Sequence, residues 1–241
     1  MKFKCRFTLA ELLVIVALFA VLAALLMPVL CNAREQGTGV SCTDNLKKIG
    51  TAMSAYQENN QGYFIHFDRV KTSRRPNSQW TGGLIDPGYC QASDFICSGL
   101  QAAPRFPQTY VDTYGVRFPG YGLSCDTAGS GRFSRGVNRR YTVRNNTWLH
   151  RSDVRYFSRM YVAMDCAKGT AEEPFQYGFY RFYTDNVAGD GNPDARHSGS
   201  INILYADGHA ANSRIADRRN PFADLGTSWK NVQWNGWDEV Q

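Results

Sequence analysis

The sequence predicts an α+β fold in which one long N-terminal helix packs on an antiparallel β-sheet head. Two observations predict the helix. Residues 12–30 carry no charged or strongly polar side chain, close to the ~20 apolar residues a helix needs to cross a bilayer hydrocarbon core. Further on, Leu46, Ile49, Met53 and Tyr56 recur at helical spacing, which makes one buried stripe. A third observation predicts the sheet: residues 141–143, 159–164 and 201–205 are short β-branched and aromatic runs set between Gly, Asn, Asp and Pro clusters.

Residues 1–6 form a leader that carries Lys2, Lys4 and Arg6, and three cations ahead of an apolar run predict a cytoplasmic N-terminus. Residues 7–31 are then the transmembrane half of the helix and residues 32–61 its extracytoplasmic half. The apolar run is too long for a cleaved secretory signal, so the helix is expected to stay as an anchor. Glu11 is anomalous, because an ionised carboxylate inside such a span costs about 2.5–3.5 kcal/mol. Either headgroups solvate it at the interface or a partner meets it. Pro28 predicts a kink or simply lies near the end of the span. Gly37 and Gly39 lower helix propensity by about 1 kcal/mol each, which predicts a bend or a melted turn there. Asn59, Asn60 and Gly62 supply the stop signal.

Residues 62–241 remain for a single head with its own core. Within it, residues 203–210 read as a strand entering an Asp-Gly turn, with a positive φ at Gly208, and so as a hairpin. The net charge is +6, but the leader supplies half of it, so the balance alone does not suggest a nucleic-acid partner. A local exception is the set Arg132, Arg135, Arg139, Arg140, Arg144, Arg151, Arg155 and Arg159, opposed over that stretch only by Asp153 and interleaved with Tyr141, Trp148, Tyr156 and Phe157. Basic and aromatic side chains together suit single-stranded nucleic acid, an acidic glycan or an acidic neighbouring subunit. The favoured reading is a solvated face whose arginines pair with acids elsewhere in the head.

There are 7 cysteines, and loss of Cys5 with the leader would leave an even set suited to an oxidising exterior. The expected pairs are Cys90 with Cys97 as a local staple and Cys125 with Cys166 as a longer link. No CxxC occurs, so a structural zinc site is not expected. Asp185, Asp190 and Asp194, in a Gly- and Asn-rich loop, offer hard oxygen ligands to calcium, the one cofactor the sequence suggests. His197, Asp207 and His209 could also ligate a metal, although a turn aspartate and a hydrogen-bonded histidine explain them without an ion. No Gly-x-Ser-x-Gly elbow, HExxH or phosphate-cradling loop is present, and no enzyme is expected. Trp229, Trp234 and Trp237 are expected to close the core rather than to stack on sugars.

Phe7-Thr8-Leu9-Ala10-Glu11 followed by a long apolar helix closely resembles the N-terminus of type IV pilins and of the pseudopilins of type II secretion. The resemblance implies a prepilin peptidase that cuts before Phe7 and methylates the new amine, and a Glu11 that pairs with the N-terminus of a neighbouring subunit. Arg6 stands where the family usually has Gly. A second resemblance rests on residues 42–50 (CTDNLKKIG), Tyr56, Gly62, Trp80, Leu84, Ile85, Pro87 and residues 95–98 (FICS). It also takes in residues 196–199 (RHSG), Asn202 and residues 207–209 (DGH). This pattern is similar to prepilin-like proteins of planctomycetes and their relatives, including the H-x9-D-G motif formed by His197, Asp207 and Gly208. Together these imply a pilin-like architecture and a structural subunit of a pilus or secretion-type filament, held in the inner membrane among other pilin-like subunits. The alternative is an unprocessed, single-pass anchored protein whose extracytoplasmic head binds a carbohydrate or another ligand.

Overall fold

The computed structural model describes residues 8–66, 79–100, 111–112, 115–116, 118–124, 142–143, 146–147, 149–169, 177–182, 191–218 and 221–225. Helix α1 runs Leu9–Asn59, 51 residues, or about 75 Å at 1.5 Å per residue. It starts at Thr8 with a reciprocal cap: Glu11 N donates to Thr8 Oγ1 at 3.3 Å, and Thr8 N donates back to Glu11 Oε2 at 2.8 Å. It stops as predicted, where the Asn60 N–H folds back onto the Gln57 carbonyl and Gly62 takes a φ of +84°.

The helix is long and apolar enough to cross a membrane. Its two halves differ sharply: residues 8–37 are exposed, whereas Gly39, Cys42, Leu46, Ile49, Gly50, Ala52, Met53, Tyr56 and Gln57 are buried in the head. The predicted stripe is therefore in place. No melted section interrupts the helix at Gly37 and Gly39, and α1 continues through both, as it does through Pro28. Gly37 and Gly39 together cost about 2 kcal/mol of propensity, less than burying several large side chains returns at about 1.5–3 kcal/mol each.

Among the described residues seven strands form the main sheet: β1 Tyr121–Ser124, β2 Tyr161–Lys168, β3 Tyr177–Gly178, β4 Arg181–Phe182, β5 Asn192–Pro193, β6 Ser200–Tyr205 and β7 Ala210–Arg214. The order is β7-β6-β2-β1-β4, with β3 and β5 pairing on the far end of β2. β2 is buried over Tyr161 to Ala167, as expected of a central strand covered on both faces. The sheet is mixed rather than purely antiparallel, because β1 and β4 pair in parallel. The chain order requires this: β2 runs against both β1 and β3, and β4 follows β3 after two residues in the same direction.

Helix α1 lies on β6 and β7. Between helix and sheet sits the larger core, with Leu46, Ile49, Met53, Tyr56, Tyr121, Leu123 and Leu204, closed at one side by Trp80 of the short helix α2 (Trp80–Ile85) and by Phe95. The Trp80 and Phe95 rings meet edge to face at 5.2 Å, and the indole N–H donates to the Tyr180 carbonyl. A second cluster, with Met164, Cys166, Phe182, Ile201, Ile203, Ile215 and Leu225, covers the opposite face.

Candidate functional site: the helix clamp and its thiol–imidazole cluster

The hairpin of β6 and β7 meets α1 at three levels. At the lower end, His197 lies across Gly39, where an added Cβ would be 3.5 Å from the His197 Cβ. Midway, Asn202 Oδ1 accepts from Thr43 Oγ1 at 2.8 Å and from Asn212 Nδ2 at 3.0 Å. At the upper end the Asp-Gly turn presses on Gly50, where a Cβ would come within 2.8 Å of both the Gly208 carbonyl oxygen and Leu204 Cδ1. Gly208 has the positive φ the turn predicts, +89°, and Asp207 Oδ1 accepts from the His209 backbone N at 3.1 Å and pairs with its Nδ1 at 2.5 Å. The His209 ring stacks on Tyr205 with centroids 4.1 Å apart. Thus His197 and Gly208 both touch the helix, one at each end of β6, while Asp207 orders the turn.

Behind His197 lies a buried polar cluster. Cys42 of α1 and Cys97, just after the 3-10 turn Ala92–Phe95, are wholly buried and share a hydrogen bond at 3.1 Å between sulfurs. His197 Nε2 is 3.6 Å from Cys97 Sγ and 3.5 Å from Asp165 Oδ2, which also accepts from the Asn202 backbone N at 2.7 Å. Burial opposes charge on His197, but Asp165 and Cys42 outweigh it and raise the imidazolium to about 9. Hydrogen bonding from Cys97, with further help from His197 and Tyr121, holds the Cys42 thiol far below its usual range. Cys97 is displaced upward because it shares that hydrogen bond and because it is buried. In the reduced cluster the hydrogen bonds favour the thiolate form of Cys42 and the imidazolium form of His197, which lies against Asp165.

Glycines make this arrangement possible. A Cβ at Gly99 would stand 2.7 Å from His197 Cε1, and one at Gly120 would stand 2.3 Å from Cys97 Cβ.

Several expected site residues take other roles. Cys90 is only partly buried and does not join Cys97, which faces Cys42 instead. Desolvation and the nearby Asp94 push the Cys90 thiol up to about 12. The missed signal was in the sequence: Cys42 stands four residues before Leu46 and seven before Ile49, on the buried stripe of α1. Asp194 is fully buried and is held by Arg218 Nε at 2.5 Å and Arg196 Nε at 3.3 Å, so its carboxylate neutralises two guanidinium groups. Asp185 and Asp190 lie outside the described residues, as do Arg6, Phe7, Cys125, Arg132, Arg135, Arg139, Arg140, Arg144 and the three C-terminal tryptophans. Of the remaining arginines, Arg155 and Arg159 both approach the ring of Tyr156, at 5.4 and 5.9 Å.

The donor atoms of Cys42, Cys97 and His197 lie within 4.8 Å of one another, a set that zinc accepts in other proteins. The same geometry leaves two sulfurs a short movement from a covalent bond. Neither sulfur is exposed to a substrate. Compared with protein-family models, curated proteins and solved structures, the chain has no match.

Proposed function

We propose that the chain is a pilin-like structural subunit, anchored in the inner membrane by the first half of α1 and able to enter a filament through it. One observation carries this reading. Among the described residues sixteen large apolar side chains, all but Val40 between Leu9 and Leu30, are exposed, while the following turns of the same helix are clamped in the head. Apolar surface of that extent is not stable in water at about 25 cal/mol per Å². A bilayer covers it in a single anchored chain, and the equivalent helices of neighbours cover it in a filament. The Thr8–Glu11 cap sits at the tip of this half, and in a filament Glu11 would meet the positively charged chain end of a neighbour.

The experiment is the intact mass and N-terminal peptide of the protein from its own cells. The expected result is an N-terminus at Phe7 carrying a methylated amine. A retained 1–6 leader, which Arg6 would favour, would make the helix a fixed anchor and turn the question to what the head binds.

A further inference from the structure

We infer that Cys42 and Cys97 form a disulfide in the exported protein, bonding the spine of α1 covalently to the segment that carries Phe95. The inference rests on the extracytoplasmic placement of the head proposed above. The two sulfurs are 3.1 Å apart with both residues at 0% exposure. They come from elements 55 residues apart in sequence, so the bond would tie a long loop. Two thiolates on tetrahedral zinc, each about 2.3 Å from the ion, stand about 3.7 Å apart, farther than these two. The Arg196 side chain, 2% exposed, donates to the Gly120 and Cys166 carbonyls and so fixes the backbone around the pair. The close approach of Gly120 to Cys97 and of Gly99 to His197 keeps both side chains from turning away.

The chemistry is thiol–disulfide exchange. The Cys42 thiolate attacks a protein or small-molecule disulfide and expels one of its thiolates. The Cys97 thiolate then attacks the Cys42 sulfur of the mixed disulfide and expels the other. The pair gives up two electrons and two protons, and the oxidant leaves as two thiols. Because the finished core leaves no path to either sulfur, exchange precedes closure of the Trp80–Phe95 flank, and the finished bond is protected from reductants.

The test takes the full chain from the membranes of its own cells. Thiols are quenched in acid and alkylated in denaturant without reductant, and the chain is then cut with trypsin and with a protease that cleaves before aspartate. Asp94 lies between Cys90 and Cys97, so their peptides separate. The expected result is one cross-linked species joining the Cys42 and Cys97 peptides, with Cys90 alkylated. Cys42→Ser, Cys97→Ser and the double variant should each lower Tm by the same amount, about 10 °C. Alkylation of both cysteines overturns the inference, and one equivalent of zinc released by chelator alongside it would assign a metal centre instead. Proteinase digestion of intact spheroplasts separates the two readings. A digested head with alkylated cysteines removes the disulfide and leaves the anchored orientation standing; a protected head with alkylated cysteines removes both.

Discussion

At the scale of single residues, the opposite shifts of His197, raised, and Cys42, lowered, set a pH signature for the reduced chain. His197 is raised to about 9, so its contribution to stability is complete below the ordinary imidazole value of about 6.5 and is lost as pH rises through 9. Cys42 is depressed, so its contribution is complete above the ordinary thiol value of about 8.5 and is lost as pH falls. Between about 6.5 and 8.5 the folded state keeps its proton on the imidazole and the unfolded state keeps it on the thiol. The expected outcome is a urea midpoint that is flat across that window in the reduced chain. In Cys42→Ser, where Asp165 still supports the imidazolium, the midpoint should fall with rising pH; a flat profile there as well would mean that His197 is not raised. The sequence marked His197 through its motif but gave no sign of these partners. Asp165 and Cys97 reach it only through the fold, from positions 32 and 100 residues earlier in the chain.

At the scale of elements, two glycines of one helix should respond to alanine with opposite signs. At Gly37 an added Cβ meets nothing within 4 Å, so Gly37→Ala should stabilise by about 0.5–1 kcal/mol through propensity. At Gly50 the same atom meets the Gly208 backbone and Leu204, so Gly50→Ala should cost about 1–3 kcal/mol through overpacking. Thermal melts of the detergent-solubilised full chain check both, and a stabilising Gly50→Ala would contradict the docking of the Asp-Gly turn. The stripe on α1 was legible from its helical period and the hairpin at Gly208 from its Asp-Gly turn, both local signals. The parallel β1–β4 pair was not, because strand direction in a mixed sheet depends on chain path, and a two-residue strand such as β4 carries no periodicity. The Cys90–Cys97 expectation failed for a related reason: proximity in sequence was preferred over the helical spacing that turns Cys42 inward.

At the scale of the whole molecule, the proposed filament makes Glu11 an assembly residue whose loss leaves the head intact. Glu11→Ala should leave the urea midpoint of the head unchanged, because Glu11 lies far from the clamp. The same change should abolish subunit cross-links formed in cells through Cys31, which is exposed on α1. Unchanged cross-linking would argue against a charge contact between neighbouring chain ends. The length of the anchor was legible from composition alone, since a run of apolar residues needs no tertiary context to be read. The head gave less, because its short strands are held by contacts between distant segments.

The way the clamp is laid along α1 also fixes how the molecule answers a pull. β6 runs in the same sense as the helix, with His197 at Gly39 and Gly208 at Gly50. Traction between a spine fixed at one end and a head dragged at the other is therefore directed along the shared axis. It strains the three levels of contact together, in shear, and cannot open them one at a time as peeling would. Slippage must break the Gly39, Asn202 and Gly50 contacts at once, so the joint between spine and head should yield abruptly and at high tension.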